Sequence, residues 1–201
     1  MLYLFTNTRY LSDDFIDTCK WFLPEWRLKQ MMSYRYSNDK KLSALGYLVL
    51  VYALKNEGLF YALPEFRYNA NGKPFLTNYQ NVYFNISHCS DAVVCILSDM
   101  EVGVDVEAVG EYDDELAKAI CNNEEYQWVT DSLDLTQRAK KFTLFWTQKE
   151  SIIKWRGTGI DCDPREIKTG IRPYIHNLDY RLISNYYQVE NICVSVCKQN
   201  Q

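Results

Sequence analysis

The feature that most limits how this chain can fold is an internal repeat. KKLSALGYLVLVYALKNEG begins at Lys40 and KKFTLFWTQKESIIKWRG begins at Lys140. Each opens on Lys-Lys, an apolar residue and a hydroxyl residue, and each closes on glycine after about five helical turns. Apolar residues fall at helical spacing in both: Leu42, Leu45, Val49 and Tyr52 in the first, Phe142, Phe145, Trp146, Ile152 and Ile153 in the second. Gly58 and Gly157 suit the position just past a helix end, where a left-handed residue is favoured. YFNIS at Tyr83 is echoed by YRLIS at Tyr180, and β-rich runs, AVVCILS and NICVSVC, follow them. The pattern implies an α+β fold of two similar halves, residues 1–100 and 101–201, each a long helix packed on a small antiparallel sheet. The halves are expected to be related by a pseudo-twofold axis, with a ligand cleft at the seam.

Composition sets outer limits. A chain of 201 residues buries a full core, and 47% hydrophobic with 15% aromatic residues describes an ordered globular protein. MLYLF is too short for a membrane span and has no basic segment before it, so it reads as a first strand. The seven cysteines are scattered without a C-x-x-C pair, as expected for reduced thiols of a cytoplasmic protein. A net charge of −4 argues against general nucleic-acid affinity while leaving room for a local basic pocket.

GVDVE, residues 103–107, reads as a strand with Val102, Val104 and Val106 on one face and Gly103, Asp105 and Glu107 on the other. Two carboxylates on one strand face repel unless water or a hard cation separates them, and Mg²⁺ is held by such groups. In the second long helix Glu150 and Lys154 are four apart on one face with Thr147 and Ser151, an ion-pair spacing. Glu125, in NNEEYQW, is a further carboxylate candidate. NANGKPFL places Lys73 in a turn, and FNISH places Ser87 and His88 at a strand end. With His176 the only other histidine, a histidine metal cluster is excluded.

In this order, N-G-K-P, F-N-I-S-H, G-V-D-V-E and an F-W-T-x-K-E-S-x-x-K helix ending in G-x-G resemble the 4′-phosphopantetheinyl transferase family, in particular its pseudo-dimeric, surfactin-synthetase-activating branch. The resemblance runs from about Pro24 to Gly159 and less clearly to Val196, and PEWRLK is similar to an early basic element of that branch, with Trp26 where lysine is frequent. It implies transfer of the phosphopantetheine arm of coenzyme A to a serine of an acyl or peptidyl carrier protein, releasing 3′,5′-ADP. It also implies Asp105, Glu107 and Glu150 as Mg²⁺ ligands, Glu150 or alternatively Glu125 as the base, and Lys154 as a phosphate contact. Lys73, Ser87 and His88 would hold the coenzyme A phosphates, and Lys29 and Lys41 the 3′-phosphate. A monomer is implied, since a duplicated chain carries both halves of the cleft, and no membrane partner is expected.

Two other readings are weaker. A metal-dependent nuclease places a lysine two residues after the second carboxylate, where this chain has Val109, and no basic stripe accompanies it. A coenzyme A-binding protein without catalysis is expected to lack a metal carboxylate, and all are present here. Between the metal strand and the catalytic helix, Leu116, Ala119 and Ile120 are expected to form an apolar stripe on a short helix capped by Asp113 or Asp114. Lys118 beside them is a candidate contact for an acidic carrier helix.

Overall fold

The computed structural model describes residues 1–159, 161–171 and 174–200, a set that includes every expected site residue. The amino-terminal part runs β1 (Leu2–Thr6), α1 (Asp14–Cys19), α2 (Glu25–Ser33), α3 (Ser37–Asn56), β2 (Phe66–Tyr68), β3 (Pro74–Leu76), β4 (Tyr83–His88) and β5 (Ala92–Ser98). The carboxyl-terminal part runs β6 (Val102–Ala108), α4 (Asp114–Ile120), α5 (Asn123–Thr130), α6 (Leu135–Arg156), β7 (Tyr174–His176), β8 (Tyr180–Tyr187) and β9 (Ile192–Gln199). This is a mixed α+β architecture with small antiparallel sheets, as the sequence pattern predicts.

One sheet has the order β1-β5-β4 and another the order β6-β9-β8-β7, all antiparallel, while β2 and β3 form a separate hairpin. In both larger sheets the strand before the long helix pairs with the last strand, which pairs with the one preceding it.

Alternation along the strands distributes the core. Val93, Cys95 and Leu97 of β5 face α3, packing on Leu42, Leu45, Leu50 and Leu54. Ala92, Val94 and Ile96 face the other way and meet Val102, Val104 and Val106 of β6 with Ile192 and Val194 of β9. Val102 and the two valines of GVDVE therefore close the seam between the sheets, which leaves Gly103, Asp105 and Glu107 on the face toward α6. Tyr52, one of the expected apolar positions of α3, is instead exposed and meets Tyr3 edge to face.

Gly103 explains how α6 comes so near this strand. A Cβ there would lie 2.1 Å from the Ser151 carbonyl oxygen and 2.3 Å from the Trp155 nitrogen, so only glycine admits the helix backbone at this crossing. The helix starts on Asp134, whose side chain accepts from the Thr136 N–H, and stops at Gly157, in the left-handed region at φ 68°.

Candidate active site at the seam

Asp105 is only 2% exposed. Its Oδ1 accepts from Ser87 Oγ at 2.8 Å and from Lys154 Nζ at 2.5 Å, and Lys154 also donates to Ser87 Oγ at 2.8 Å. Three elements thus meet at one carboxylate: β4 from the amino-terminal part, β6 and α6. Asn85, two residues before Ser87 on the same strand, accepts from the Val104 N–H at 2.9 Å and fixes β4 against β6 where no regular ladder joins them. The sequence reading missed Asn85.

The other Asp105 oxygen, Oδ2, is buried without a hydrogen-bond partner, a costly state that a cation would relieve. Glu107 and Glu150 are half-buried beside it, and both titrate above the usual carboxylate range. Burial, and then the Asp105 charge, raise the Glu107 carboxyl to about 7, with Lys154 and the nearby Trp146 indole partly offsetting them. Burial raises Glu150 as well, and Lys154 opposes it. Among the described residues, no three His, Cys, Asp or Glu side chains are already gathered as a ligand cluster. Lys154 is the cation that neutralises Asp105. The donor set is nevertheless hard oxygen: the three carboxylates feel one another's charge, and Asp105 Oδ2 has no partner, which fits Mg²⁺.

This predicts a pH dependence with a definite sign. A carboxyl whose folded pKa lies above its unfolded value stabilises the fold fully below about 4.5, and that contribution is lost as pH rises through about 7. At about 1.4 kcal/mol per unit the loss is on the order of 3 kcal/mol. Urea unfolding in EDTA should therefore show stability falling between pH 5 and 8, and Glu107→Gln should flatten the slope. Equal slopes for the two proteins would remove Glu107 from this account.

Lys73 sits on the β2–β3 hairpin, whose loop is organised by Asn69 Oδ1 accepting from the Asn71 and Lys73 N–H groups. Asn69 also donates to the Gly157 carbonyl at 2.8 Å, latching the hairpin to the end of α6. The Lys73 ammonium reaches Glu101 at 2.5 Å and the Trp155 carbonyl at 3.0 Å. Gly72, Lys73, Asn85, Ile153 and Lys154 line a cavity of about 230 Å³. His88 ends β4, and desolvation followed by the Lys154 charge lowers its pKa.

The remaining expected site residues have other partners. Lys29 is 75% exposed and pairs with Glu25 along its own helix. Lys41 is held by the Leu11 carbonyl and by Asp13. Neither is bonded to the Asp105–Lys154 cluster. Glu125 is buried: it caps α5 in a reciprocal box with Asn122, pairs with Lys149 at 2.8 Å, and accepts from the Thr169 hydroxyl. Its oxygens are fully engaged, and the N-x-x-E spacing that signals this box is visible in the sequence. Thr147 and Ser151, expected on one helix face with Glu150 and Lys154, are completely buried, because α6 lies between the sheet, α5 and the segment after it. On α4, capped by Asp113, Ile120 packs inward with Ala117, whereas Leu116 and Ala119 are exposed. Lys118 bonds Asp114 and Glu115.

Residues 101–197 match the family described as the 4′-phosphopantetheinyl transferase superfamily, a span that holds β6, α6 and all four acidic candidates, Asp105, Glu107, Glu125 and Glu150. The chain belongs to the 4′-phosphopantetheinyl transferase superfamily. It is 37% identical over 140 residues to the 4′-phosphopantetheinyl transferase gsp of Aneurinibacillus migulanus, covering 66% of this chain and 56% of that one. It is 32% identical over 131 residues to psf-1 of Bacillus pumilus, covering 63% and 54%. To AcpT of Escherichia coli strain K12 it is 30% identical over 138 residues, covering 67% and 66%. The matched stretch spans a little over half the length of gsp and psf-1. This superfamily member has no helix, among its described residues, long and apolar enough to cross a membrane.

Proposed function

We propose that this protein moves the 4′-phosphopantetheine arm of coenzyme A onto a serine of an apo acyl or peptidyl carrier protein, with Mg²⁺ and release of 3′,5′-ADP. The observation that carries the reading is the convergence on Asp105 of Ser87 from one half and Lys154 from the other, beside a cavity and two further carboxylates. We place the chain in the pseudo-dimeric branch, acting as a monomer, on the matching strand orders of its two larger sheets, and in the cytoplasm on its unpaired cysteines.

Asp105, Glu107 and Glu150 would hold the metal, with the unpartnered Asp105 Oδ2 available to it. When bound, Mg²⁺ neutralises these carboxylates and withdraws charge from the phosphate under attack. The serine oxygen bonds to the phosphorus next to the pantetheine, the bridging P–O bond breaks, and 3′,5′-ADP leaves with that oxygen and its electron pair. Glu150, its carboxyl raised above the usual range by burial, takes the serine proton directly or through water. Lys154 offsets charge on phosphate oxygens and on the leaving group. Ser87 and His88 contribute the wall from β4, and Lys73, with Lys29 and Lys41 farther out, supplies further phosphate contacts. Lys118 and the exposed Leu116 mark the side on which a carrier helix docks.

The reading is tested by chromatography of 3′,5′-ADP formed from coenzyme A in the presence of several apo carriers. Release that requires a carrier serine supports it, and binding of coenzyme A without release under any carrier contradicts it. Two substitutions then separate binding from chemistry. Lys73→Ala is expected to raise the KM for coenzyme A roughly tenfold with kcat little changed, as for a contact made equally in ground and transition states. Glu150→Gln is expected to lower kcat instead. A Lys73→Ala variant with unchanged KM at saturating carrier removes that residue from the pocket.

A further inference from the structure

The buried polar groups of α6 are concentrated on the turn that carries Glu150. Thr147, Gln148, Lys149 and Ser151 are all fully buried. Thr147 shares a hydrogen bond with Ser195 at 2.9 Å, and Ser195 shares one with Ser184. Gln148 donates to Ser184 at 3.2 Å and accepts from the Gly170 N–H. The backbone of Ser151 lies against Gly103. Lys149, with its side chain 0% exposed, makes three bonds: to Glu125 Oε2 at 2.8 Å, to the Pro164 carbonyl at 2.8 Å and to the Ile167 carbonyl at 3.1 Å. An ammonium has three donors, and all are used.

Stability alone is a poor explanation for this arrangement. Well-packed apolar side chains hold a helix as firmly as a buried ion pair, and often more firmly. What a hydrogen-bonded ion pair adds is direction. Lys149 ties α6 to α5 through Glu125 and to the 164–167 segment through two carbonyls, so it fixes the rotation of the helix about its own axis. The Glu150 carboxylate lies on the order of 6 Å from that axis, so a turn of about 10° shifts it by about 1 Å. A misplacement of that size costs on the order of a hundredfold in rate at a reacting centre.

We infer that the buried collar around Glu150, with the Glu125–Lys149 pair at its centre, sets the direction of the Glu150 carboxylate, and that Lys149 and Glu125 are positioning residues for the transfer. The inference rests on the role proposed above for Glu150. It gives Glu125 a part in the reaction through Lys149, without contact with the substrate.

The test is a double replacement that removes the charges as a pair. Lys149→Met alone leaves Glu125 buried and uncompensated and should melt far below wild type. Glu125→Leu combined with Lys149→Met should recover most of the melting temperature while kcat stays at least tenfold below wild type, with the KM for coenzyme A within about twofold. A double variant with both wild-type stability and wild-type kcat overturns the inference. If the double variant does not fold, Gln148→Leu with Ser184→Ala, which removes the Gln148 and Ser184 bonds of the collar, carries the same test, and wild-type kcat in that pair overturns it equally. Inactivity of the wild-type protein itself would strike the proposed function, and the two failures are thereby distinguished.

Discussion

Gly103→Ala is expected to destabilise the protein by about 3 kcal/mol or more and to abolish transfer in whatever fraction remains folded. The added methyl would fall 2.1 Å from the Ser151 carbonyl oxygen, 2.3 Å from the Trp155 nitrogen and 2.9 Å from the Lys154 carbonyl carbon. All three are backbone atoms of one helix, so no side chain can swing aside. Relief requires α6 to move off β6, and that movement separates Lys154 and Glu150 from Asp105. Guanidinium unfolding of the variant checks the stability, and a midpoint close to wild type would show that the strand and helix have more freedom than their contact implies.

Asp105→Asn carries the second large effect, of a different kind. The amide keeps the shape of the carboxylate and can still accept from Ser87, but it carries no charge for Lys154 or for a metal. Melting is expected to fall by only a few degrees, because the packing around β6 comes from Val104 and Val106 on its other face. Turnover should fall at least about a thousandfold, the scale of losing a main electrostatic contact at a reacting phosphate. A variant that melts far lower yet retains turnover would make Asp105 a structural residue.

The contrast between these two residues shows what the sequence makes legible. Period-two alternation in GVDVE tells which side chains share a face, so the separation of valines from carboxylates is readable, as are the two long helices and the position of Ser87 at a strand end. Which face meets which neighbour is not local information. The glycine inside GVDVE signals close approach in general terms, but only the packed structure names the Ser151–Trp155 backbone as what approaches. The same limit hid the environment of Glu150. Helical spacing groups Thr147 and Ser151 with Glu150 and Lys154 as one polar stripe, whereas the helix is enclosed on several sides and those hydroxyls are interior. Glu125 shows the opposite case: its capping-box spacing is local information, and that box with Asn122, rather than nearness to β6, decides where its carboxylate goes. The basic residues of the amino-terminal helices were the least legible, since Lys29 and Lys41 carry no pattern that distinguishes a phosphate contact from a surface pair.

The most direct measurement is intact mass spectrometry of apo acyl and peptidyl carrier proteins incubated with coenzyme A, Mg²⁺ and either the wild-type protein or Asp105→Asn. The account predicts that wild type adds the mass of one phosphopantetheine arm to the carrier serine, that EDTA prevents the addition, and that Asp105→Asn leaves the carriers in the apo form over the same time. Carriers unmodified by the wild-type protein, or modified equally well by the variant, would contradict it.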